Sequence, residues 1–423
     1  GGPGFGETVE QGEKYYGFGS GDKLANPRIK WETTVSRNLA MDISLFGGRL
    51  QLTPEFYWKT TKDLLYKSDI PTTTGYSTQV QNIGQVSNRG VELSINADLL
   101  RGKDYVLSAN LSMGFNKRVI DRLNDTDDVL WDQNNRWKSS YNDYCLRVGD
   151  ELGLIYGFVY DGLYSPEEFD FDPNRNFLAV PKPLTFDKDG RRVSGTVINQ
   201  VSASSNSGEA TLPGKIKFKD LDGDGYITEK DRTVIGNTNP KVQGGFGVGF
   251  DFTANFYYML DFDVNNATAY ALSSSTKNRN EFTNVLGKFT DHWQYVDPAT
   301  GECMYKNYYL DNSVESYIGM NAGKSLWNPA DVVNNLTQSY FIEDGSFLRL
   351  QDVTIGYTLP AKLTRRWGIS KLRFYASASN LFIITGYSGY DPEVDIQTGL
   401  TPGMDYNRYP RNRAFSLGVN LNF

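Results

Sequence analysis

The run Asp220-Leu221-Asp222-Gly223-Asp224-Gly225-Tyr226-Ile227-Thr228-Glu229-Lys230-Asp231 holds the densest ligating chemistry in the sequence. Carboxylates at its first, third and fifth positions can converge on one hard cation, Gly225 at the sixth permits a sharp turn, and the Tyr226 carbonyl stands at the seventh. Asp231 fills the twelfth position, where the calcium-loop template has a bidentate Glu. The shorter side chain reaches less far, which weakens the ligand set. Gly214 to Phe218, just upstream, alternates like a strand and argues against a helix-loop-helix sensor. The expectation is a structural Ca2+ staple in a surface loop, held by Asp220, Asp222, Asp224, Tyr226 and Asp231. The alternative is an acidic turn closed by its own hydrogen bonds.

Trp131, Trp137, Trp293 and Trp327 fall in polar stretches with many Tyr and Asn neighbours. Aromatic faces stack on the apolar hydrogens of sugar rings while Asn and Asp bind hydroxyls, so these four are the candidate substrate contacts. The competing roles are loop packing, contact with a covering partner, and an interfacial aromatic belt. Trp58 and Tyr57, near a strand end, fit the belt. Cys145 and Cys303 lie far apart without CxxC spacing, which leaves at most one disulfide and argues against a cysteine-built zinc site. His292 is the single histidine, and the sequence has no nucleophile-elbow motif, so a catalytic triad is not expected. The 50 Asp and Glu residues offer many carboxylate pairs, but the separation that defines glycoside hydrolysis cannot be set from sequence. No enzyme activity is expected.

The elements that would position these residues are bounded by composition. The 423 residues carry 43 Lys and Arg against 50 Asp and Glu, a net charge of -7 and a pI near 5.1. That balance excludes a dedicated nucleic-acid binder, whose footprint is a basic surface. Aromatic residues make up 14% and Gly contributes 42 residues, a mix suited to strands and turns. The best apolar run, Leu152 to Tyr160, is broken by Gly153 and Gly157, and it falls far short of the roughly 18 residues a membrane-spanning helix needs.

Period-two alternation is the strongest pattern. Trp31, Thr33, Val35, Leu39, Met41, Ile43 and Leu45 stand at odd positions, broken only by Arg37, and Gly47-Gly48 then turns the chain into Leu50, Leu52, Phe56 and Trp58. The unit recurs at Val91 to Leu99 with Tyr105 to Phe115, at Phe246 to Phe252 with Phe256 to Val264, and at Val353 to Leu359, Leu372 to Ala378 and Phe415 to Phe423. Roughly a dozen such strands are expected. A soluble sandwich also alternates, but here the strands are long, turns at one end are tight, and the segments near 121–145, 165–240 and 265–343 are long and polar. The fold class expected is therefore all-β: an antiparallel transmembrane β-barrel with long extracellular loops, apolar side chains toward lipid and small polar ones toward a wet lumen. The mean hydropathy of -0.48 agrees, since only alternate residues of each span must be apolar.

Several phrases, in order along the chain, resemble a known family. They are Asp22-Lys23-Leu24-Ala25-Asn26-Pro27 with Ile29-Lys30-Trp31-Glu32-Thr33-Thr34, then Thr61-Lys62-Asp63-Leu64-Leu65, Asn82-Ile83-Gly84 and Ser87-Asn88-Arg89-Gly90-Val91-Glu92. Asp220 to Asp231, Val234-Ile235-Gly236-Asn237, Phe341 to Leu350 with Gly356-Tyr357-Thr358-Leu359-Pro360, Ala378-Ser379-Asn380-Leu381-Phe382 and Gly389-Tyr390-Asp391-Pro392-Glu393 complete the series. The set resembles the SusC/RagA class of TonB-dependent outer-membrane transporters across nearly all of residues 1–423. The resemblance implies a barrel of about 22 strands around a plug, with this chain as its C-terminal half and the signal sequence and plug upstream. It implies energy from TonB-ExbB-ExbD, a SusD-like surface lipoprotein as lid, and import of oligosaccharides or, in some members, peptides. Phe423 is similar to the C-terminal aromatic read by the barrel-assembly machinery. The opening Gly1-Gly2-Pro3-Gly4 has no initiator Met, as expected for the interior of a longer protein. The rival readings are a soluble or surface-attached β-rich carbohydrate-binding protein and a β-sandwich hydrolase.

Overall fold

A computed structural model describes residues 4–10, 13–19, 23–82, 84–103, 105–123, 129–132, 142–175, 178–201, 211–252, 256–267, 291–295, 305–306, 309–310, 314–328, 336–393, 402–403, 405 and 409–423. A ten-stranded antiparallel sheet dominates. It comprises β1 (Thr33–Ala40), β2 (Ile43–Leu45), β3 (Leu50–Lys62), β4 (Gln85–Arg101), β5 (Tyr105–Arg122), β6 (Pro240–Phe252), β7 (Phe256–Ala267), β8 (Phe347–Thr358), β9 (Lys371–Thr385) and β10 (Ala414–Asn422). β1 and β2 both pair with β3 and make one strand interrupted at Met41-Asp42; from β3 onward each strand pairs with the next. At the interruption the Met41 N–H still donates to the Pro54 carbonyl at 3.1 Å, and the Thr53 hydroxyl donates to Asp42 at 2.8 Å. The sheet thus holds fewer strands than the sequence pattern suggests; Gly4–Glu10 and Glu13–Gly19 pair separately as a hairpin.

The register carries apolar positions of one strand onto apolar positions of the next. Leu50 lies opposite Ala97, Ala97 opposite Ala109 and Ala109 opposite Val248; Phe56 lies opposite Val91, and Val91 opposite Phe115. A slip of one residue would move every side chain to the other face. The apolar face is open: Leu39 is 63% exposed and Leu417 89%, with Trp58, Phe115, Ile355, Phe374 and Phe415 also exposed. Water does not tolerate so large a contiguous apolar surface, whereas acyl chains solvate it. β4 and β5 run 17 and 18 residues, ample for the about 9–11 that a tilted strand needs to cross the hydrocarbon. Among the described residues no helix is long and apolar enough to cross a membrane.

The other face is small and polar, with Ser108, Asn110 and Ser112 opposite Gly249, Gly247 and Gly245. Tyr57 belongs to it, contrary to the belt expectation. Its hydroxyl donates to Asn116 at 3.1 Å, and its ring covers Gly90, where a Cβ would collide with it. Neighbours on a strand point to opposite faces, so only Trp58 can meet lipid.

Connections at one end are short, at 46–49, 102–104, 253–255 and 359–370, while 63–84, 123–239, 268–346 and 386–413 extend from the other. The long insertions fold on one another around a core that includes Tyr144, Ile155, Phe158, Ile216, Phe218 and Trp327. The Phe158 N–H donates to the Thr337 carbonyl at 2.9 Å, and the Tyr160 N–H donates to the Ser339 hydroxyl at 2.9 Å. The Tyr144 hydroxyl donates to the Pro402 carbonyl at 2.5 Å, tying in the connection between β9 and β10.

Candidate functional site

The polar face of the sheet, near the end that carries the insertions, encloses a cavity of about 380 Å³. β1 contributes Thr34, β3 Lys59 and Thr61, β4 Asn88, and β5 Arg118 and Ile120, while Leu146 and Leu152 close it from the insertion. The insertion is held there by the strand itself. The Ile120 N–H donates to the Asp150 carbonyl at 3.0 Å, the Leu152 N–H to the Arg118 carbonyl at 3.2 Å, and Lys117 pairs with Glu151 at 3.4 Å. The result is a mixed wall, mainly apolar, with loop leucines above the charged and amide side chains of the strands.

Asp220, Asp222 and Asp224 bring carboxylate oxygens within 4.8 Å of one another. Gly223 and Gly225, at φ +77° and +85°, supply the left-handed turns that fold the acids inward. Asp220 accepts the N–H of Gly223 at 2.8 Å and of Gly225 at 3.0 Å, and Asp224 accepts that of Tyr226 at 2.8 Å. Burial, then Asp222 and Asp220, pushes the Asp224 carboxyl up from its ordinary value. Arg192 Nε, 3.5 Å from Asp220, offsets part of the charge. Asp231 does not join the trio. It is buried, and its two oxygens accept the Leu221 and Thr228 N–H groups at 2.8 Å each, closing the loop as a capping box. Tyr226 is placed by a parallel pairing with Ile198. The residues that fit a divalent cation are therefore the three carboxylates, with Asp231 as the clasp.

Of the four candidate tryptophans, the two whose side chains are described are buried, as the loop-packing alternative has it. Trp327 is 0% and Trp293 6% exposed. The Trp327 ring meets Tyr340 edge-on at 4.6 Å, and Trp293 Nε1 donates to the Tyr317 hydroxyl at 2.6 Å. Trp327 is enclosed among the rings that fill the space between the insertions, whereas the nearly buried Trp293 borders a cavity of about 370 Å³ with Tyr160, Tyr164 and Asn321. Trp131 lies in the short strand Val129–Asp132 opposite Cys145; its side chain and all of Trp137 lie outside the described residues. Cys145 is a buried free thiol, raised from its ordinary value by burial, and Cys303 lies outside the described residues. His292 bridges to Leu326 within the insertions. Phe423 is 86% exposed, in step with Phe415, Leu417, Val419 and Leu421 of β10.

Comparison with known proteins gives this geometry a family. The family described as TonB dependent receptor-like, β-barrel, matches residues 2–267. TonB-dependent receptor P3 of Formosa agariphila is 28% identical over 95% of this chain and 35% of its own length. TonB-dependent receptor SusC of Bacteroides thetaiotaomicron is 26% identical over 97% of this chain and 34% of its own. The chain thus spans about a third of the length of these relatives. The RagAB peptide transporter has the same fold, with a TM-score of 0.68 at 19% identity, over all of this chain and 38% of that one. A sheet with one lipid-facing and one polar face, short turns at one end and folded insertions at the other is a segment of an outer-membrane barrel wall, and the chain belongs to the TonB dependent receptor-like β-barrel family.

Proposed function

We propose that this chain is the barrel portion of a SusC/RagA-type transporter that imports oligosaccharides or peptides across the outer membrane. The observation that carries the reading is the two-faced meander: exposed Leu39, Phe415 and Leu417 on one side, and Ser, Asn and Gly rows with a cavity on the other. In this reading TonB-ExbB-ExbD drives the cycle through parts of the protein outside this chain, and a SusD-like lipoprotein covers the folded insertions. The relatives are receptors, and no covalent step belongs to the proposal. The Asp220, Asp222 and Asp224 loop is proposed to hold a structural Ca2+.

The test is uptake of labelled oligosaccharides and oligopeptides by cells that carry the whole transporter, with and without functional TonB. Uptake that needs both is expected. Uptake unchanged on deletion of the transporter, or recovery of the protein in buffer without detergent, would instead support the soluble carbohydrate-binding alternative.

A further inference from the structure

We propose that the barrel wall carries, at its insertion end, a site for the oxyanion groups of an acidic oligosaccharide, formed by Arg28, Lys30 and Arg122. The proposal rests on the import reading above and narrows its cargo. These three residues line a basin of about 510 Å³. All three are exposed, and among the described residues none takes part in an ion pair. Asp63 is the single carboxylate on the same wall, so the basin keeps a positive excess in a chain whose net charge is -7. A concave surface of one sign concentrates ligands of the other.

The wall is built to hold the cations in place. Asn82 grips Lys30 twice: its Oδ1 accepts the Lys30 N–H at 2.8 Å, and its Nδ2 donates to the Lys30 carbonyl at 2.8 Å. The same Nδ2 donates to the Asp63 carbonyl at 2.8 Å. Asn26 accepts the Arg28 N–H at 3.0 Å and donates to the Val80 carbonyl at 3.0 Å. Gly84, at φ +68°, lies flush against the Arg122 carbonyl, where a Cβ would collide with it. Each cation-bearing backbone is thus fixed before a ligand arrives, which lowers the ordering cost of binding.

Arg122 also lines the cavity on the polar face of the sheet, so the basin opens beside the proposed passage. Its lining is cationic and amide-rich, with Leu123 the single large apolar side chain. Apolar peptide side chains find little there, whereas a hydroxyl-rich chain bearing carboxylate or sulfate finds both donors and charge.

The test uses the whole purified receptor in detergent micelles, with fluorescently labelled hexagalacturonate, maltohexaose and hexaglutamate as probes. At about 50 mM NaCl the uronate is expected to bind about tenfold tighter than the neutral hexamer, and the advantage should collapse near about 300 mM. Arg28→Gln, Lys30→Gln and Arg122→Gln together should remove the advantage, leave maltohexaose affinity unchanged and preserve heat-modifiable migration. Equal binding of uronate and neutral hexamer by the wild type, or a triple variant that keeps the preference, overturns the proposal. Tighter binding of hexaglutamate overturns it in favour of acidic peptides. If the variant instead loses only stabilisation by added lipopolysaccharide, the anion is a lipid headgroup and the proposal also falls. A receptor that binds the uronate as described but imports nothing would sink the import reading alone.

Discussion

Arg349 Nη2 lies 2.7 Å from Asp391 Oδ1, with both side chains buried, and this contact locks β8 to the connection between β9 and β10. Glu393 takes the same guanidinium at 2.9 Å and reaches Arg411 at 3.1 Å. Two phrases distant in sequence, one around Phe347-Leu348-Arg349-Leu350 and one around Tyr390-Asp391-Pro392-Glu393, thereby become a single clasp. Removing one partner strands a buried charge, at a cost of roughly 3–5 kcal/mol. Arg349→Met alone should therefore lower the temperature at which the barrel loses heat-resistant migration. Arg349→Met with Asp391→Leu should recover much of the loss. A double variant no better than the single would show that the clasp is not an ion pair in energetic terms.

The two faces of β10 should respond in opposite ways to charge. Leu417, 89% exposed, sits mid-strand opposite Ala376 on the lipid side, and Ser416 sits opposite Ser377 on the polar side. Leu417→Arg is expected to cost about 2–4 kcal/mol near the bilayer midplane and to cut the amount of protein folded into the outer membrane. Ser416→Asp should leave that amount close to wild type. Equal loss from both would contradict the assignment of solvents.

What could be read from the sequence follows the range of the interactions involved. Alternation is local, so the strands around Val91 and Phe115 and the lipid face were legible without a structure. The fate of Trp327 was not, because its burial depends on 326–341 meeting 144–237, and no short-range pattern encodes that meeting. Asp231 has the right chemistry at the right spacing for a ligand, yet the Leu221 and Thr228 N–H groups compete for its oxygens and win. The cationic basin left no trace as a basic run, since register and turns bring Arg28 and Lys30 to Arg122 from far along the chain.

The acidic loop predicts a calcium effect confined to the insertions. With three carboxylates this close, a bound divalent ion should relieve their repulsion and stiffen 220–231. Addition of Ca2+ should slow proteolysis within that segment, a chelator should reverse the protection, and Asp222→Asn with Asp224→Asn should abolish the response. Protection that survives the double substitution would mean the loop is closed by its own hydrogen bonds.

Alkaline pH should loosen the insertions through Tyr160. Its ring packs against Tyr340 at 5.1 Å and Trp327 at 6.0 Å. Burial, with Tyr340 adding to it, pushes the phenol up to about 12 from its ordinary value of 10.0. A raised value means that the folded state keeps its proton where the unfolded chain has lost it, so the contribution to stability is complete below pH about 10 and disappears as pH climbs to about 12. Resistance of the insertions to protease should therefore fall across that window. Tyr160→Phe, which cannot ionise, should fall less steeply than wild type over the same interval while matching it near neutrality. Tyr164 and Tyr387 are raised as well, so the variant keeps some slope and the readout is the difference between the two curves. Superimposable curves would show that Tyr160 ionises as freely in the folded insertions as in the unfolded chain.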